Sequence, residues 1–485
     1  MNGLGSEYEV AKLVKKRVSP IDVQRLLPMT NCKECGEENC MAFATKLVNR
    51  EAALNQCPPI LQERYGMTFE KLWEILKPPV KEISIGGDRR RLKIGGKYVL
   101  YRHEFTYTNP TAIAVDVTDE MLPDELLSRT KEVENFNYRY IGQDLKLDAL
   151  AVRAVSGDPK TFSETVKSTI ANTDMPIVIC TTDPEVAEAA LAIASNRRPL
   201  IYAANTKNWK DMAELVLMYH TPLVASAPEG LDELRTLVKT LKEYGVQDIV
   251  LDPGTYFGEG LANTVASFST IRLAACKNDD ELFGYPIMSI PMAVWTSEGE
   301  LPEVLKWREA YLTSILITRY SDIVIVHSLD GWVLLPNLIL RQNLYTDPRK
   351  PVAVETGIKT FGKPDANSPV LTTTNFALTY YTVAADIESF GLDCYLMVVD
   401  SEGLSVESAV AGRKLTAEKV SQALKQTNIG EKVNHRKLII PGRAARLSGE
   451  TEELSGWKVL VGPLDSSGIQ KFVHEKWSHE PQVIS

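Results

Sequence analysis

The sequence predicts a three-part α/β protein: a small four-cysteine module, a (β/α)8 (TIM) barrel, and a C-terminal doubly wound α/β domain. Three observations lead there. Cys32, Cys35, Cys40 and Cys57 share one short segment with the spacing C-x2-C-x4-C-x16-C. Eight short, apolar, β-branched runs recur between residues 111 and 330, separated by amphipathic stretches. Five more runs of the same kind follow in 331–485. Nearly continuous apolar strands alternating with amphipathic helices belong to a parallel sheet covered by helices. Eight such units over about 220 residues match the barrel.

The first part, residues 1–60, carries the cysteines. Helical pattern occurs at "EYEVAKLVKKR" and "DVQRLL", with Ser19-Pro20 as a helix start, and "MAFATKLVNREAALNQ" reads as a helix between the third and fourth cysteines. Four thiolates can close a tetrahedral sulfur site suited to zinc or to an iron–sulfur cluster. Zinc motifs usually come as two tight pairs. Here three cysteines crowd one loop and the fourth returns later, followed by Pro58 and Pro59. A Cys-Pro step recurs at cluster sites, and Gly36 lets the loop turn tightly. The pattern favours a [4Fe–4S] cluster over zinc, with free thiols or disulfides behind both. Nothing suggests export, which disfavours disulfides. So small a module has little core of its own, and a cluster would staple it.

Residues 61–110 read as linker and hairpin. Pro78-Pro79 ends a helix, two Gly-Gly pairs signal hairpin turns, and Arg89, Arg90 and Arg91 sit at a solvated tip. The Pro and Gly content of "PPVKEISIGGDRRRLKIGGK" suggests a hinge. In the barrel, 111–330, the strands are "TAIAVDV", "ALAVRAV", "PIVICT", "PLIYAA", "PLVASA", "DIVLDPG", "PIMSIP" and "DIVIVHS". Asp116 and Asp252 end strands, at the face where barrel active sites form, and Asp322 opens one. Strand-end aspartates also cap turns and helices. Cys180 and Cys394 in apolar strands and Cys276 in a helix read as packing residues.

The C-terminal domain, 331–485, has strands at "PVAVETG", "SPVLTTT", "CYLMVVD", "KLIIPG" and "WKVLVGP", and a closing helix at "GIQKFVHEKW". Doubly wound folds bind ligands at the carboxyl ends of their strands. Those ends read "TTTN", "DSEG", "PGRAA" and "GPLDSSG": small, hydroxyl-bearing or glycine-rich, with room for a large cofactor.

Composition excludes several classes. The 485 residues carry a net charge of −9 and no basic block, so no nucleic-acid partner is expected. No apolar run approaches the ~20 residues of a membrane span, and the first residues do not form a secretory signal. A cytoplasmic protein is expected. No P-loop or nucleophile elbow occurs.

The order of parts, and the segments "LLPMTNCKECGEENCMAFA" with "CPP", "SPVLTTTNFALTYYTVAADIE" and "GWKVLVGPLDSSGI", resemble the corrinoid iron–sulfur protein large subunits, the gamma subunits of archaeal acetyl-CoA decarbonylase/synthase complexes. The resemblance covers nearly the whole chain. It implies that Cys32, Cys35, Cys40 and Cys57 ligate a [4Fe–4S] cluster and that the C-terminal domain binds a cobalamin-type corrinoid with base-off cobalt. Thr374 would approach the corrin most closely, with Thr372, Thr373 and Asn375 beside it. Gly442, Arg443, Ala444, Tyr345 and Thr346 are further candidates. The implied activity is that of a methyl-tetrahydropterin:corrinoid/iron–sulfur protein Co-methyltransferase. It would work with a small (delta) subunit and pass methyl groups between a methyl-tetrahydropterin and the nickel centre of acetyl-CoA synthase. Pterin methyltransferases use a similar barrel, which would extend a pterin role to Asp116 or Asp252.

Many cobalamin proteins supply an axial histidine from D-x-H-x-x-G. None of His103, His220, His327, His435, His474 or His479 lies in that context; His435, His474 and His479 read as surface or packing residues. An axial ligand tunes its metal, so leaving nitrogen out makes Co(I) easier to reach, and a low-potential cluster can return an electron lost from it. Two other classes stay open at this point: an iron–sulfur electron-transfer or scaffold subunit without corrinoid, and a zinc-stapled barrel enzyme acting on a small metabolite.

Overall fold

The computed structural model describes residues 18–49, 51–97, 109–346 and 351–477. The expected helix at "EYEVAKLVKKR", His103 and His479 lie outside the described residues. Two compact units divide the chain: one runs to Tyr138 and includes Leu145–Thr346, the other holds Arg139–Asp144 and everything from Asp347 on.

The cysteine module opens the first unit. Ser19 caps the helix Pro20–Gln24 through a capping box with Asp22, as Ser19-Pro20 predicts. The helix after the third cysteine is shorter than expected: Cys40–Val48, then a break before the 3-10 turn Leu54–Gln56 that delivers Cys57. Contrary to expectation the module has a core, built from Val23, Leu27, Phe43, Leu47 and Ile60 with Leu72 and Leu76. The last two come from the helix Gly66–Leu76, one turn apart and so on one face. The module therefore runs past residue 60.

The segment expected to hinge is instead fixed. Strands β1 (Glu82–Ile85) and β2 (Leu92–Gly95) form an antiparallel hairpin. Ile83, Ile85 and Ile94 are at most 1% exposed and pack among Ala112, Ala114, Val250 and Ile323 of the barrel interior. The backbone N–H of Lys81 bonds Gly284 O and that of Gly86 bonds Arg198 O. Lys81 also pairs with Asp248 at 3.0 Å. Each of these partners precedes a barrel strand, so the hairpin plugs the amino-terminal mouth. Of the arginine tip, Arg90 donates to Leu147 O at 3.2 Å and Arg89 pairs loosely with Asp174 at 3.5 Å.

The barrel strands are β3 (Ala112–Thr118), β6 (Ala149–Arg153), β7 (Ile177–Cys180), β8 (Leu200–Ala204), β9 (Leu223–Ser226), β10 (Ile249–Asp252), β11 (Met288–Ser289) and β12 (Ile323–Val326); between β3 and β6 the chain makes a separate hairpin of β4 (Asn137–Tyr140) and β5 (Gln143–Lys146). The eight barrel strands are parallel in the order β10-β9-β8-β7-β6-β3-β12-β11. A parallel bridge between Leu251 and Ile287 closes the ring. Each of the eight expected runs supplies one strand. The helix Gly331–Leu344 follows β12 and completes the eighth β/α unit, so the compact unit extends to Thr346 rather than ending at 330. Asp322, which opens β12, is structural: it pairs with Lys97 at 3.2 Å and Arg272 at 3.0 Å, all three side chains at most 8% exposed.

The second unit is a five-stranded sheet of β13 (Gly357–Phe361), β14 (Val370–Thr374), β15 (Cys394–Val399), β16 (Lys437–Ile440) and β17 (Lys458–Val461) in the order β13-β15-β14-β16-β17. The last four are parallel and β13 is an antiparallel edge. "PVAVETG" does not form the expected strand. It makes one isolated bridge, Ala353 to Phe376, and the strand begins at Gly357. Val370 and Met397 face one helical layer and Leu371 and Leu396 the other, which is the doubly wound arrangement. Among the described residues no helix is long and apolar enough to cross a membrane.

Candidate functional site

In the second unit β14 and β16 are neighbours, yet the chain leaves β14 toward β15 on one side and β16 toward β17 on the other. That is a topological switch point, where connections diverge and leave a crevice beyond the carboxyl ends. The loops after β14 and β16 are the ones that begin at Asn375 and at Pro441. The structure thus brings the "TTTN" and "PGRAA" ends together. An open cavity of about 420 Å³ lies here, lined by Thr372, Thr373, Leu378, Val406, Arg443 and Leu464 among others. Leu378 and Leu464 are 49% and 69% exposed at its edge.

Three buried hydroxyls mark the end of β14. Thr372, Thr373 and Thr374 are 6%, 1% and 0% exposed, and none of their hydroxyls has a hydrogen-bond partner. A stranded buried polar group costs about 1–3 kcal/mol, and of the three only Thr372 and Thr373 border the cavity, where a ligand would meet them. Thr374 is fully buried and does not line it. Asn375 has a different task. Its Oδ1 accepts from Ser401 N and Gly403 N, both at 3.0 Å, and from Ser401 Oγ at 2.8 Å; its Nδ2 donates to Asp400 at 3.0 Å. It holds the "DSEG" loop in place.

The remaining candidates separate. Arg443 lines the cavity and pairs with Glu407 at 2.6 Å. Gly442 is a close-approach residue: a Cβ there would meet Gly462 O at 2.8 Å. Ala444 is buried in the core of that layer. Tyr345 and Thr346 belong to the barrel unit. The Tyr345 hydroxyl bonds Lys97 and lies 3.3 Å from Thr111 Oγ1, a structural setting. His435 has both ring nitrogens engaged, Nε2 with Ser368 O at 3.0 Å and Nδ1 accepting from Lys437 N at 3.2 Å. Its ring packs against Trp457 and Trp477. It is a packing residue, as expected.

In the module, Cys40 and Cys57 are buried, Cys35 half-buried and Cys32 exposed. Cys40 opens its helix, whose cap Asn39 accepts from Ala42 N. Asn31 clamps the loop: its Oδ1 accepts from Cys40 N at 2.9 Å, and its own N–H donates to Cys40 Sγ at 3.4 Å. Met29, Asn31, Lys33 and Gly36 take left-handed φ of 57, 47, 64 and 83°, which turns the loop tightly between the cysteines. Burial pushes the Cys57 thiol up, the Ile60 N–H opposes this, and the charges of Cys35, Cys32 and Cys40 add to the rise. Among the described residues no three such side chains converge on a single-ion position. Four soft thiols, one already accepting a backbone N–H, form a donor set that suits an iron–sulfur cluster.

At the barrel mouth the two strand-end aspartates are met by partners that sequence reasoning passed over. Asp116 is buried and bonded by His327, Arg153 and Arg129. Asp252 accepts from Tyr202, Ser226 and Gly254 N. Burial pushes the Asp252 carboxyl up against those bonds. His327 and Arg153 each stand at or just past a strand end, which was the available signal. Burial pushes the Cys180 and Cys394 thiols up to about 12, as befits packing residues.

A family model described as "CO dehydrogenase/acetyl-CoA synthase delta subunit" (CdhD) matches residues 82–473. The chain belongs to the CdhD family. A second model, described as "Putative Fe-S cluster", matches residues 27–59 and spans all four module cysteines. The acetyl-CoA decarbonylase/synthase complex subunit gamma 2 of Methanosarcina thermophila is 46% identical over 95% of this chain and 98% of its own length. The gamma subunit of Methanothermobacter thermautotrophicus is 44% identical over 94% of this chain and 98% of its own, and that of Methanocaldococcus jannaschii 38% over 95% and 97%. The family description says delta while these relatives are gamma subunits. Among solved structures, dihydropteroate synthase from Thermus thermophilus covers 54% of this chain and 100% of its own, at 17% identity and a TM-score of 0.39. The Xanthomonas albilineans enzyme covers 55% and 100%, at 16% and 0.40. Likenesses of that degree carry no argument about function.

Proposed function

We propose that this chain is the corrinoid-carrying iron–sulfur subunit of an acetyl-CoA decarbonylase/synthase complex. It would move a methyl group between a methyl-tetrahydropterin and the nickel centre of acetyl-CoA synthase, in company with a small (delta) subunit. In this reading the C-terminal unit binds a base-off corrinoid, and Cys32, Cys35, Cys40 and Cys57 hold a [4Fe–4S] cluster. The observation that carries it is the row of three unpaired, buried threonine hydroxyls at the switch point, in a chain whose relatives are gamma subunits of such complexes. When bound, the corrinoid supplies the cobalt centre that takes and gives up methyl, and the cluster supplies the electron that restores its reactive state.

The chain's own residues do the rest. The cavity is bordered by the hydroxyls of Thr372 and Thr373 and by no imidazole among its lining residues, a neutral surface with no strong axial donor. Leu378 and Leu464 present apolar area that a flat ligand would cover and dry. Asn375 keeps the neighbouring loop rigid, and the Arg443–Glu407 pair stands at the rim. In the module the Asn31 N–H donates to the Cys40 sulfur, a contact of the kind that would set the potential of a cluster held there. Metal analysis of anaerobically purified protein, with visible and EPR spectra, tests the proposal. Iron together with cobalt is expected. Iron alone, persisting after incubation with cobinamide or cobalamin, would replace it with an electron-transfer or scaffold role. Zinc alone would point to a stapled barrel enzyme.

A further inference from the structure

The proposed function leaves the carboxyl-terminal mouth of the barrel idle, yet a connected group of ionisable side chains gathers there. β3 lies between β12 and β6. Asp116 on β3 is 0% exposed and takes a bond on each oxygen: Oδ1 from His327 Nδ1 at 2.7 Å, Oδ2 from Arg153 Nη1 at 2.7 Å. Arg129 adds a contact to Oδ1 at 3.2 Å and donates to the carbonyls of Asp116 and His327 at 2.8 and 2.5 Å. Behind them Glu309 accepts the backbone N–H of His327 and of Ser328, at 2.5 and 2.9 Å.

Exposure divides this group. Both carboxylates are fully buried, whereas the side chains of Arg153 and His327 are 32% and 33% exposed. Arg153 spends one terminal nitrogen on Asp116; its other N–H groups have no partner among the described residues. His327 spends Nδ1 on Asp116 and leaves Nε2 open. Trp295 covers one side of the imidazole, with ring centroids 4.6 Å apart. An ion-pair network that served only to tie strands together would spend its donors inward. Here a guanidinium edge and an imidazole nitrogen stand side by side, anchored on one buried carboxylate, at the barrel face where ligands bind.

We propose that Arg153 and His327 form a binding site for a small oxyanion, the carboxylate or phosphate group of a small molecule, with Asp116 as their buried anchor. The free edge of Arg153 matches the two oxygens of such a group. Asp116 holds the imidazole through Nδ1, which leaves Nε2 turned to the anion beside the Arg153 edge.

Calorimetric titration of the full chain with inorganic phosphate, and separately with malonate, tests this, and Trp295 provides a fluorescence readout. The two arms distinguish a phosphate from a carboxylate preference. Saturable binding of at least one anion is expected. Arg153→Lys keeps the charge beside Asp116 but loses the planar edge, and should weaken that binding about tenfold or more with unchanged circular dichroism. His327→Gln should weaken it as well. If neither anion binds saturably, or if both variants bind as the parent does, the proposal is wrong. Cobalt loading does not enter the measurement, so its outcome is separate from that of the proposed function.

Discussion

Replacing Thr374 with valine removes one hydroxyl and little else. The side chain is 0% exposed and its oxygen has no partner. Valine keeps the β-branched shape that a strand favours. In the ligand-free protein the stranded hydroxyl costs about 1–3 kcal/mol, so Thr374→Val should stabilise the free C-terminal unit by about 1–2 kcal/mol. For a unit of this size that is a rise in Tm of roughly 3–6 °C. With a corrinoid bound, the sign should reverse. A hydroxyl that gains its partner from the ligand contributes about 1 kcal/mol; added to the cost relieved in the free protein, its loss should weaken binding by about 2–3 kcal/mol, or roughly 30- to 150-fold. Scanning calorimetry of free and cobinamide-loaded protein, with cobalt counted per chain, reads both effects. A valine variant that melts no higher when free would mean the hydroxyl is not stranded. An equal gain in free and loaded protein would mean no ligand touches Thr374.

Four further outcomes are expected. Cys57→Ser should lose most of its iron and visible absorbance while the barrel stays folded; full iron retention would remove Cys57 from the ligand set. Ile94→Ala should cost about 2–5 kcal/mol in a chemical melt, because Ile94 is 0% exposed in the barrel interior; a mobile linker would show almost none of this. Asp322→Asn leaves Lys97 and Arg272 buried without their counter-charge and should cost about 3–5 kcal/mol, measured by urea denaturation. Burial pushes the Asp116 carboxyl up, but the bonds from His327 and Arg153 outweigh it and leave it below the usual range. A depressed carboxylate contributes stability above its unfolded pKa of about 3.9, lost as pH falls through the folded value. Asp116→Asn should therefore flatten the acid limb of stability below about pH 4, and an unchanged limb would contradict the assignment.

Legibility differed from part to part for physical reasons. The eight barrel runs were readable because a strand buried on both faces needs continuous apolar residues, and each such run became a strand. β13 escaped because an antiparallel edge strand is half exposed: "GIKTF" carries no continuous apolar signal, while the more apolar "PVAVETG" became a loop with one bridge. Glycine and proline in "PPVKEISIGGDRRRLKIGGK" suggested mobility, but Ile83, Ile85 and Ile94 alternate to one face and find the barrel bottom. Local composition cannot reveal a partner surface so distant in sequence. The "TTTN" end was legible as a candidate. Its division into three unpaired hydroxyls and one loop-holding amide was not, because it depends on Ser401 and Gly403 reaching Asn375 from the next strand.

By itself the sequence determined the four-thiol donor set, the eight strands of the barrel and the parallel character of its sheet, since each follows from spacing and periodicity along the chain. Tertiary structure alone decided that β14 and β16 lie side by side with diverging connections, that the glycine-rich hairpin plugs the barrel, and that Asp116, Arg153 and His327 meet at its mouth. Those depend on strand order and on burial, which bring together residues far apart along the chain and set which polar atoms lose water without gaining a partner.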